Sequence, residues 1–184
     1  MDYIFGLIGK SGSGKTSVAK ALQDDYNVLL SYTTRMPRHP GEYGHTFISE
    51  TQAYRIMKKE TVIAHAMLYD YCYFATRKQV KGPTIYIIDP ASYLTLKRLL
   101  PDVPMTSIYL SVSEPVIYQR LLNSRSLEEV RIRVRKDANI FKDVKADYTV
   151  SFDGLLYEQV RLVKKIIEDK LLEATASAKD NNKQ

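Results

Sequence analysis

The sequence predicts an α/β fold, a parallel β-sheet core flanked by helices, and three features carry that prediction. Residues 84–88 and 106–110 are continuously apolar or β-branched rather than alternating, as suits parallel strands covered on both faces. Residues 16–24 and 91–100 carry helix-compatible spacing. A further apolar run, residues 3–8, leads into Gly9-Lys-Ser-Gly-Ser-Gly-Lys15-Thr16, which matches the phosphate-binding pattern G-x-x-x-x-G-K-[ST] at the strand-to-helix junction where that loop must lie.

The loop requires that placement. A glycine-rich turn lets backbone N–H groups close around phosphate oxygens, and the positive end of the next helix points at the same anion. Gly9, Ser11, Gly12, Ser13, Gly14, Lys15, Thr16 and Ser17 are therefore the expected phosphate-binding residues. Lys15 is placed to reach the terminal phosphates of a nucleotide, and the Thr16 hydroxyl to take a position on Mg²⁺. An ordinary glycine-rich turn is the bland alternative, but spacing, preceding strand and following helix all agree against it.

Composition sets the outer bounds. With 184 residues, 45% of them hydrophobic, the chain is long enough for one well-cored domain with small inserted lobes. No apolar run approaches the ~20 residues of a membrane span, and the loop follows the N-terminus too closely for a cleaved signal peptide, so a soluble, cytoplasmic protein is expected. The single cysteine, Cys72, has no companion for a disulfide or a zinc pattern and reads as a buried or half-buried thiol. A net charge of +6 is compatible with nucleic acid, but a protein holding two polyphosphate substrates also needs surplus Arg and Lys. The arginine clusters favour the second reading.

In chain order, Val18, Ala21 and Leu22 share a face of the first helix, and residues 27–31 read as a second strand. Ser31-Tyr-Thr-Thr-Arg35-Met-Pro-Arg38-His-Pro-Gly41-Glu42 is too interrupted for a helix. It reads either as a solvated loop or as one whose Arg35 and Arg38 form a guanidinium pair for a phosphate, since the planar fork suits bidentate binding. Residues 51–59 are helical in pattern and 61–63 β-branched. Asp89 ends the strand at 84–88 beside the phosphate loop, where ligands bind in doubly wound sheets. It is either a carboxylate near Mg²⁺ or the N-cap of the helix that follows. Ser113-Glu114-Pro115 starts a helix with a capping hydroxyl, and five arginines follow within residues 120–135. Arg131 and Arg135 read as a solvated face, while Arg133 has Asp137 at ion-pair spacing. Residues 147–152 form the last strand. Residues 155–172 form the closing helix, with Leu156, Val160, Val163 and Ile167 on one stripe, and 174–184 a flexible tail.

The segment Ser31 to Arg38, followed by Gly41-Glu42-Tyr-Gly44 and Phe47-Ile-Ser49, resembles the acceptor-binding segment of guanylate kinases, behind a phosphate loop of that family's type. The resemblance covers residues 3–152. It implies a P-loop NTPase fold with core 1–31 and 84–173, an acceptor-nucleotide lobe at about 32–83 and an arginine-bearing lid at about 120–136. Arg120, Arg125 and Arg133 match lid arginines and, with Lys15, are the implied catalytic residues; Ser31, Arg35, Arg38, His45, Tyr73 and Thr76 are the implied acceptor-binding set. Tyr71-Cys-Tyr73-Phe-Ala75-Thr76 is similar to the family's N-Y-Y-G-[ST] segment, which makes Tyr73 the hydroxyl for the acceptor phosphate, with a stacked core tyrosine as the alternative.

Several positions depart from the family. Where guanylate kinases place a glutamate and a hydroxyl to read guanine, this chain has Ala64 and Ala75; a shift of the alignment by a residue would make Thr76 the hydroxyl. Phe74 replaces a glycine, His45 an acceptor-phosphate tyrosine and Ser151 an asparagine, and the loop after Arg125 is shortened. The resemblance implies ATP-dependent phosphorylation of a nucleoside or deoxynucleoside monophosphate, GMP or dGMP foremost, by a monomer or homodimer with Mg²⁺ carried by ATP and no nucleic-acid or membrane partner. Phosphorylation of a ribosyl bisphosphate needs no guanine pocket and stands as an alternative. A non-catalytic interaction module is a third, against which the intact Lys15 and Thr16 argue.

Overall fold

β1 (Tyr3–Gly9) is buried along its whole length, and in the computed structural model, which describes residues 1–68 and 70–181, it lies at the centre of a five-stranded sheet. The sheet also contains β2 (Asn27–Leu29), β7 (Pro83–Ile87), β8 (Met105–Ser111) and β9 (Tyr148–Ser151), ordered β2-β7-β1-β8-β9 with every pairing parallel. Because strand side chains alternate between faces, β1 serves two cores. Tyr3, Phe5 and Leu7 pack with Val18 of α1 (Lys15–Ala21) and with Val163 and Ile167 of α6 (Leu156–Asn181). Ile4 and Ile8 pack with Tyr93 and Leu96 of α3 (Pro90–Leu99). Continuous apolarity in the sequence is thus the direct result of covering both faces.

The expected strand at 27–31 is divided. β2 ends at Leu29, and β3 (Ser31–Thr33) belongs to a second sheet, so the small lobe begins one residue earlier than expected. That sheet adds β4 (His45–Phe47), β5 (Val62–Leu68) and β6 (Tyr71–Thr76) in the order β4-β3-β6-β5, with β3/β4 parallel and the other pairs antiparallel. α2 (Glu50–Lys59) starts from a capping box in which Ser49 Oγ accepts from Gln52 N–H and Gln52 Oε1 from Ser49 N–H. The segment expected to form a lid, about 120–136, falls on α4 (Glu114–Leu122) and α5 (Leu127–Ile140), the latter opened by a Ser126/Glu129 capping box. Ile117 and Leu121 of α4 enclose Val130 of α5.

Four expectations are corrected. Ala19 rather than Ala21 joins Val18 and Leu22 on the buried face of the first helix. At 3.6 residues per turn, Ala21 lies about a quarter turn or more from the centre of that stripe. Ser113 occupies the N-cap of α4, but its hydroxyl makes no cap bond; its N–H donates instead to Asp153 Oδ1 at 2.7 Å. Leu156 is exposed, and Gln159 takes the buried place at that end of the α6 stripe. α6 continues through Asn181 rather than stopping near 172, because the Ala-rich stretch has high helix propensity. Thr175 and Ser177 hydroxyls donate to the carbonyls of Leu171 and Glu173, four residues back, at 2.7 and 3.0 Å. Residues 182–184 of the expected tail lie outside the described residues. Among the described residues, no helix is long and apolar enough to cross a membrane.

Asp147 ties the entry of β9 to β8, accepting from the N–H and the hydroxyl of Ser107, both at 2.7 Å, while its own N–H donates to Ser107 Oγ at 2.9 Å. Burial pushes this carboxyl up, but the Ser107 donors outweigh it and hold it below the ordinary 3.8. A depressed folded-state value means stabilisation present above the unfolded-state value and lost as pH falls through the folded one. Asp147→Asn is therefore expected to cost about 1–3 kcal/mol at neutral pH in urea unfolding, with the gap to wild type closing below about pH 4.

Candidate active site

The C-terminal end of β1 delivers the phosphate loop. Gly14 has φ 96°, a left-handed conformation that glycine adopts without strain, and a Cβ there would lie 2.7 Å from Gln159 Oε1. At Gly9 the obstacle is close approach: a Cβ would meet Ser13 Oγ at 2.5 Å and Leu110 O at 2.9 Å. The loop can close only because these positions lack side chains. Gln159 Nε2 donates to Ser13 O at 3.3 Å, and Arg120 Nη1 of α4 to Gly12 O at 3.2 Å, so α6 and α4 clamp the loop from two sides. Gly12, Gly14, Lys15, Thr16, Ser17, Arg120, Asn123, Leu156 and Gln159 line a cavity of about 430 Å³.

Lys15 is folded back into its own loop. Its Nζ donates to Gly9 O at 2.6 Å and Lys10 O at 2.9 Å. Burial pushes its ammonium down to about 8, against the opposing pull of the Asp137 carboxylate. Ser13 Oγ is buried without a hydrogen-bond partner, and Ser11 N–H donates to Asp137 Oδ2 at 2.6 Å. A buried ammonium and an orphaned buried hydroxyl are the features of a site shaped for an anion with several oxygens.

The small lobe supplies a second cluster. Arg35 is forked onto Glu42, with Nη2–Oε1 at 2.8 Å and Nη1–Oε2 at 3.2 Å, and its Nε donates to Tyr73 OH at 3.1 Å. Glu42 Oε2 also accepts from Arg38 N–H at 2.6 Å. The Arg35 guanidinium, and then the Arg38 N–H, hold the Glu42 carboxyl at about 2 despite its burial, and Glu42 raises Arg35 in turn. His45 packs edge-on against Tyr73 with centroids 5.4 Å apart, its Nδ1 buried and unpartnered; burial, then the Arg35 charge, lower its pKa. Ser31 Oγ lies 3.1 Å from Tyr86 OH. Arg38 stays 60% exposed at the rim.

The two clusters adjoin. A Cβ on Gly44, in the lobe, would touch the Thr16 methyl at 3.8 Å, and Lys20 of α1 lies over the Tyr43 ring, 5.6 Å from its centroid. From the lid, Arg125 comes close enough to Arg133 and Arg38 that burial, followed by their two charges, lowers its pKa. The structure thus places Lys15, Thr16 and Arg120 on one cavity, brings the charges of Arg125, Arg133 and Arg38 near one another, and groups Arg35, His45 and Tyr73 in the second sheet's cluster.

Three expected residues sit otherwise. Thr76 lies three positions beyond Tyr73, an odd offset, and so faces the other side of β6; its buried hydroxyl donates to Glu60 Oε2 at 2.7 Å. Asp89 caps α3, accepting from Ser92 N–H at 2.9 Å, which is the capping alternative; it also stands at the C-terminal end of β7, beside β1. Asp137 is committed to Ser11 and makes no ion pair with Arg133. Ala64 and Ala75 do face one another across β5 and β6, with Ala75 fully buried, while Phe74 turns to the opposite face and packs on Tyr32.

Sequence reasoning gave no role to Gln159, read Asp137 only at ion-pair spacing from Arg133, and gave no role to Glu42. The first two were visible as polar residues on otherwise apolar helix stripes: Gln159 between Leu156 and Val163, Asp137 after Val130 and Val134. A polar group on a buried face needs a partner.

Lys15 generates a pH prediction. An anionic ligand requires the ammonium, so above its free value the ligand must first restore the proton. Binding of an ATP analogue is expected to weaken above about pH 8 by up to about tenfold per unit, with proton uptake in calorimetry near that pH. Lys15→Met should bind weakly at every pH and show no uptake.

No family model matches the chain, and no curated protein matches it significantly. Among solved structures, guanylate kinase from Anaplasma phagocytophilum superposes with a TM-score of 0.63 at 19% identity, over 92% of this chain and 86% of that one. The protein designated APE1195 superposes with a TM-score of 0.51 at 11% identity, over 91% of this chain and 96% of that one. The α/β P-loop NTPase architecture of the chain is accordingly that of a guanylate kinase-like fold.

Proposed function

We propose that the protein transfers the γ-phosphoryl group of ATP to the phosphate of a nucleoside or deoxynucleoside monophosphate. The observation that carries this reading is proximity: Arg120 bonds the phosphate loop that holds Lys15, a Cβ on Gly44 of the lobe would reach the Thr16 methyl at 3.8 Å, and Arg125 carries its charge near both Arg133 and Arg38 of the lobe. Such an arrangement suits two anionic substrates placed end to end. In the reaction an acceptor phosphate oxygen forms a bond to the γ-phosphorus as the bond to the β–γ bridging oxygen breaks, giving a diphosphate and ADP. The protein contributes little covalent chemistry, so positioning and charge neutralisation dominate.

The loop amides and Lys15 hold the donor phosphates, with Lys15 exchanging two carbonyl partners for phosphate oxygens. Arg35, held in place by its fork on Glu42, would turn its Nε–H from the Tyr73 hydroxyl to the acceptor phosphate, with His45 packed against the same tyrosine. Arg125 and Arg133 face the gap between the two. Among the described residues no group of three or more His, Cys, Asp or Glu could hold a metal, so Mg²⁺ would arrive on the nucleotide, with Thr16 as its protein oxygen and Asp89 no nearer than its water shell. When bound, Mg²⁺ neutralises charge on the β and γ oxygens. Soluble cytoplasmic operation as a monomer or homodimer accords with this reading.

The base-facing positions favour a broadened or altered acceptor. Ala64 and Ala75 offer no anion to the guanine N–H groups, and Thr76 faces the other side of the sheet. A site built to hydrogen-bond a base can discriminate by about 10⁴ to 10⁵, and this pocket lacks the groups to do so. The same apolarity favours a base-free ribosyl bisphosphate as the second reading.

Turnover should be measured with GMP, dGMP, AMP, CMP, dTMP and ribosyl bisphosphate under ATP and Mg²⁺. Activity on several monophosphates with weak GMP preference is expected; strong wild-type GMP selectivity would show that another residue reads the base, and turnover of the phosphosugar alone would install the second reading. Arg133→Ala should lower kcat by about 10³ to 10⁵ with acceptor KM little moved, since a lid arginine acts on charge at the moment of transfer. Kinetics within a few-fold of wild type would remove Arg133 from the site.

A further inference from the structure

We propose that Asp137 is the anchor that holds the arginine-bearing helix α5 on the phosphate loop, and is therefore a positioning residue for Arg133 and Arg125. The catalytic part of this inference rests on the kinase reading above.

α5 is attached at both ends by apolar contacts. Val130 sits between Ile117 and Leu121 of α4, and Phe141, just past the helix, stacks on Tyr109 of β8 with centroids 6.0 Å apart. Such contacts are non-directional and leave the rotation and height of the helix above the loop weakly specified. The bond from Ser11 N–H to Asp137 Oδ2, at 2.6 Å, is directional and charge-assisted, and its acceptor is only 9% exposed. It is the hydrogen bond joining α5 to the phosphate loop among the described residues. Arg133 lies one helical turn before Asp137, and Arg125 immediately precedes the Ser126 cap. Fixing Asp137 on Ser11 therefore sets where both guanidiniums hang relative to Lys15.

The carboxylate sits on the buried stripe of α5, in line with Val130 and Val134, where an apolar residue would serve packing alone. A buried carboxylate without a partner would be costly, so its retention there is explained by the loop amide it holds. Ser11 lies in the stretch of the loop whose N–H groups face incoming phosphates, so one side chain links loop geometry to lid geometry.

The test combines kinetics with a measurement that needs no turnover. Asp137→Ala should lower kcat about ten- to a hundredfold with ATP KM little changed, as misplacement by about an ångström of a positioned group does. Asp137→Asn, which keeps an acceptor oxygen, should recover most of it, and Asp143→Ala, removing an exposed charge nearby in sequence, should match wild type. In an Arg133→Ala background, Asp137→Ala should cost clearly less than it does in the wild type, because part of its effect acts through that arginine. Hydrogen exchange of the Ser11 amide in the ligand-free protein should speed up at least about tenfold in Asp137→Ala. Unchanged Ser11 protection would overturn the anchor, and full additivity with Arg133→Ala would overturn the positioning role. If the wild type phosphorylates no acceptor, the kinase reading fails while the exchange measurement still decides the anchor.

Discussion

Lys15 Nζ satisfies itself on the carbonyls of Gly9 and Lys10, inside a loop whose backbone N–H groups would otherwise face one another with no counter-charge. That arrangement makes the ligand-free loop stable. Burial lowers the lysine's pKa to about 8, and the nearby Asp137 carboxylate opposes that shift only in part. Neighbouring elements satisfy other groups of the loop backbone, N–H and carbonyl alike. Asp137 takes the Ser11 N–H, Gln159 accompanies the Ser13 carbonyl, and Arg120 bonds the Gly12 carbonyl. The lobe repeats the solution at larger scale, where Glu42 holds Arg35 by both oxygens and the Arg38 N–H as well.

These internal partners differ in what an incoming phosphate would have to displace. The carbonyls on Lys15 are neutral and lie within the loop, so phosphate oxygens compete with them favourably. Glu42 is a carboxylate held deep in its ionised range by Arg35. It stays in place and presents the remaining edge of the guanidinium, toward Tyr73. One arginine edge is thus held by a carboxylate and the other by the neutral Tyr73 hydroxyl, which a phosphate oxygen would displace more readily, a division the planar fork of arginine permits and a lysine would not.

The Lys15 and Arg35 surroundings are polar and charged, whereas Ala64 and Ala75 pair across β5 and β6 as plain apolar positions. Ala75 is fully buried against the cluster that includes Tyr86 and Ile88, so this part of the lobe is built by packing rather than by hydrogen bonds. Apolar walls discriminate weakly between ligands of similar size, whereas unpaired buried polar groups discriminate strongly. The contrast between the charged surroundings of Lys15 and Arg35 and the plain apolar positions of Ala64 and Ala75 is the feature that most separates this chain from one built to read guanine.

The amino-acid sequence by itself determined the elements whose signal is local. The phosphate loop is declared by glycines and a lysine at fixed spacing, and the central strands by unbroken apolarity. The arginines of lobe and lid were also legible, because charge in a Pro-rich or helical run stands out. Tertiary structure decided what depends on partners far along the chain. Asp137 reads as a helical ion-pair partner of Arg133 until α5 is laid on Ser11, 126 residues away. Thr76 reads as a base-facing hydroxyl until strand alternation turns it to Glu60, and residues 27–31 read as one strand until two sheets claim its halves. The physical reason is common to all three. Helix spacing, strand parity and turn chemistry are properties of a few neighbouring residues, but which buried polar group finds which partner is settled only when separate elements pack, since each must satisfy its hydrogen bonds with whatever the fold brings beside it.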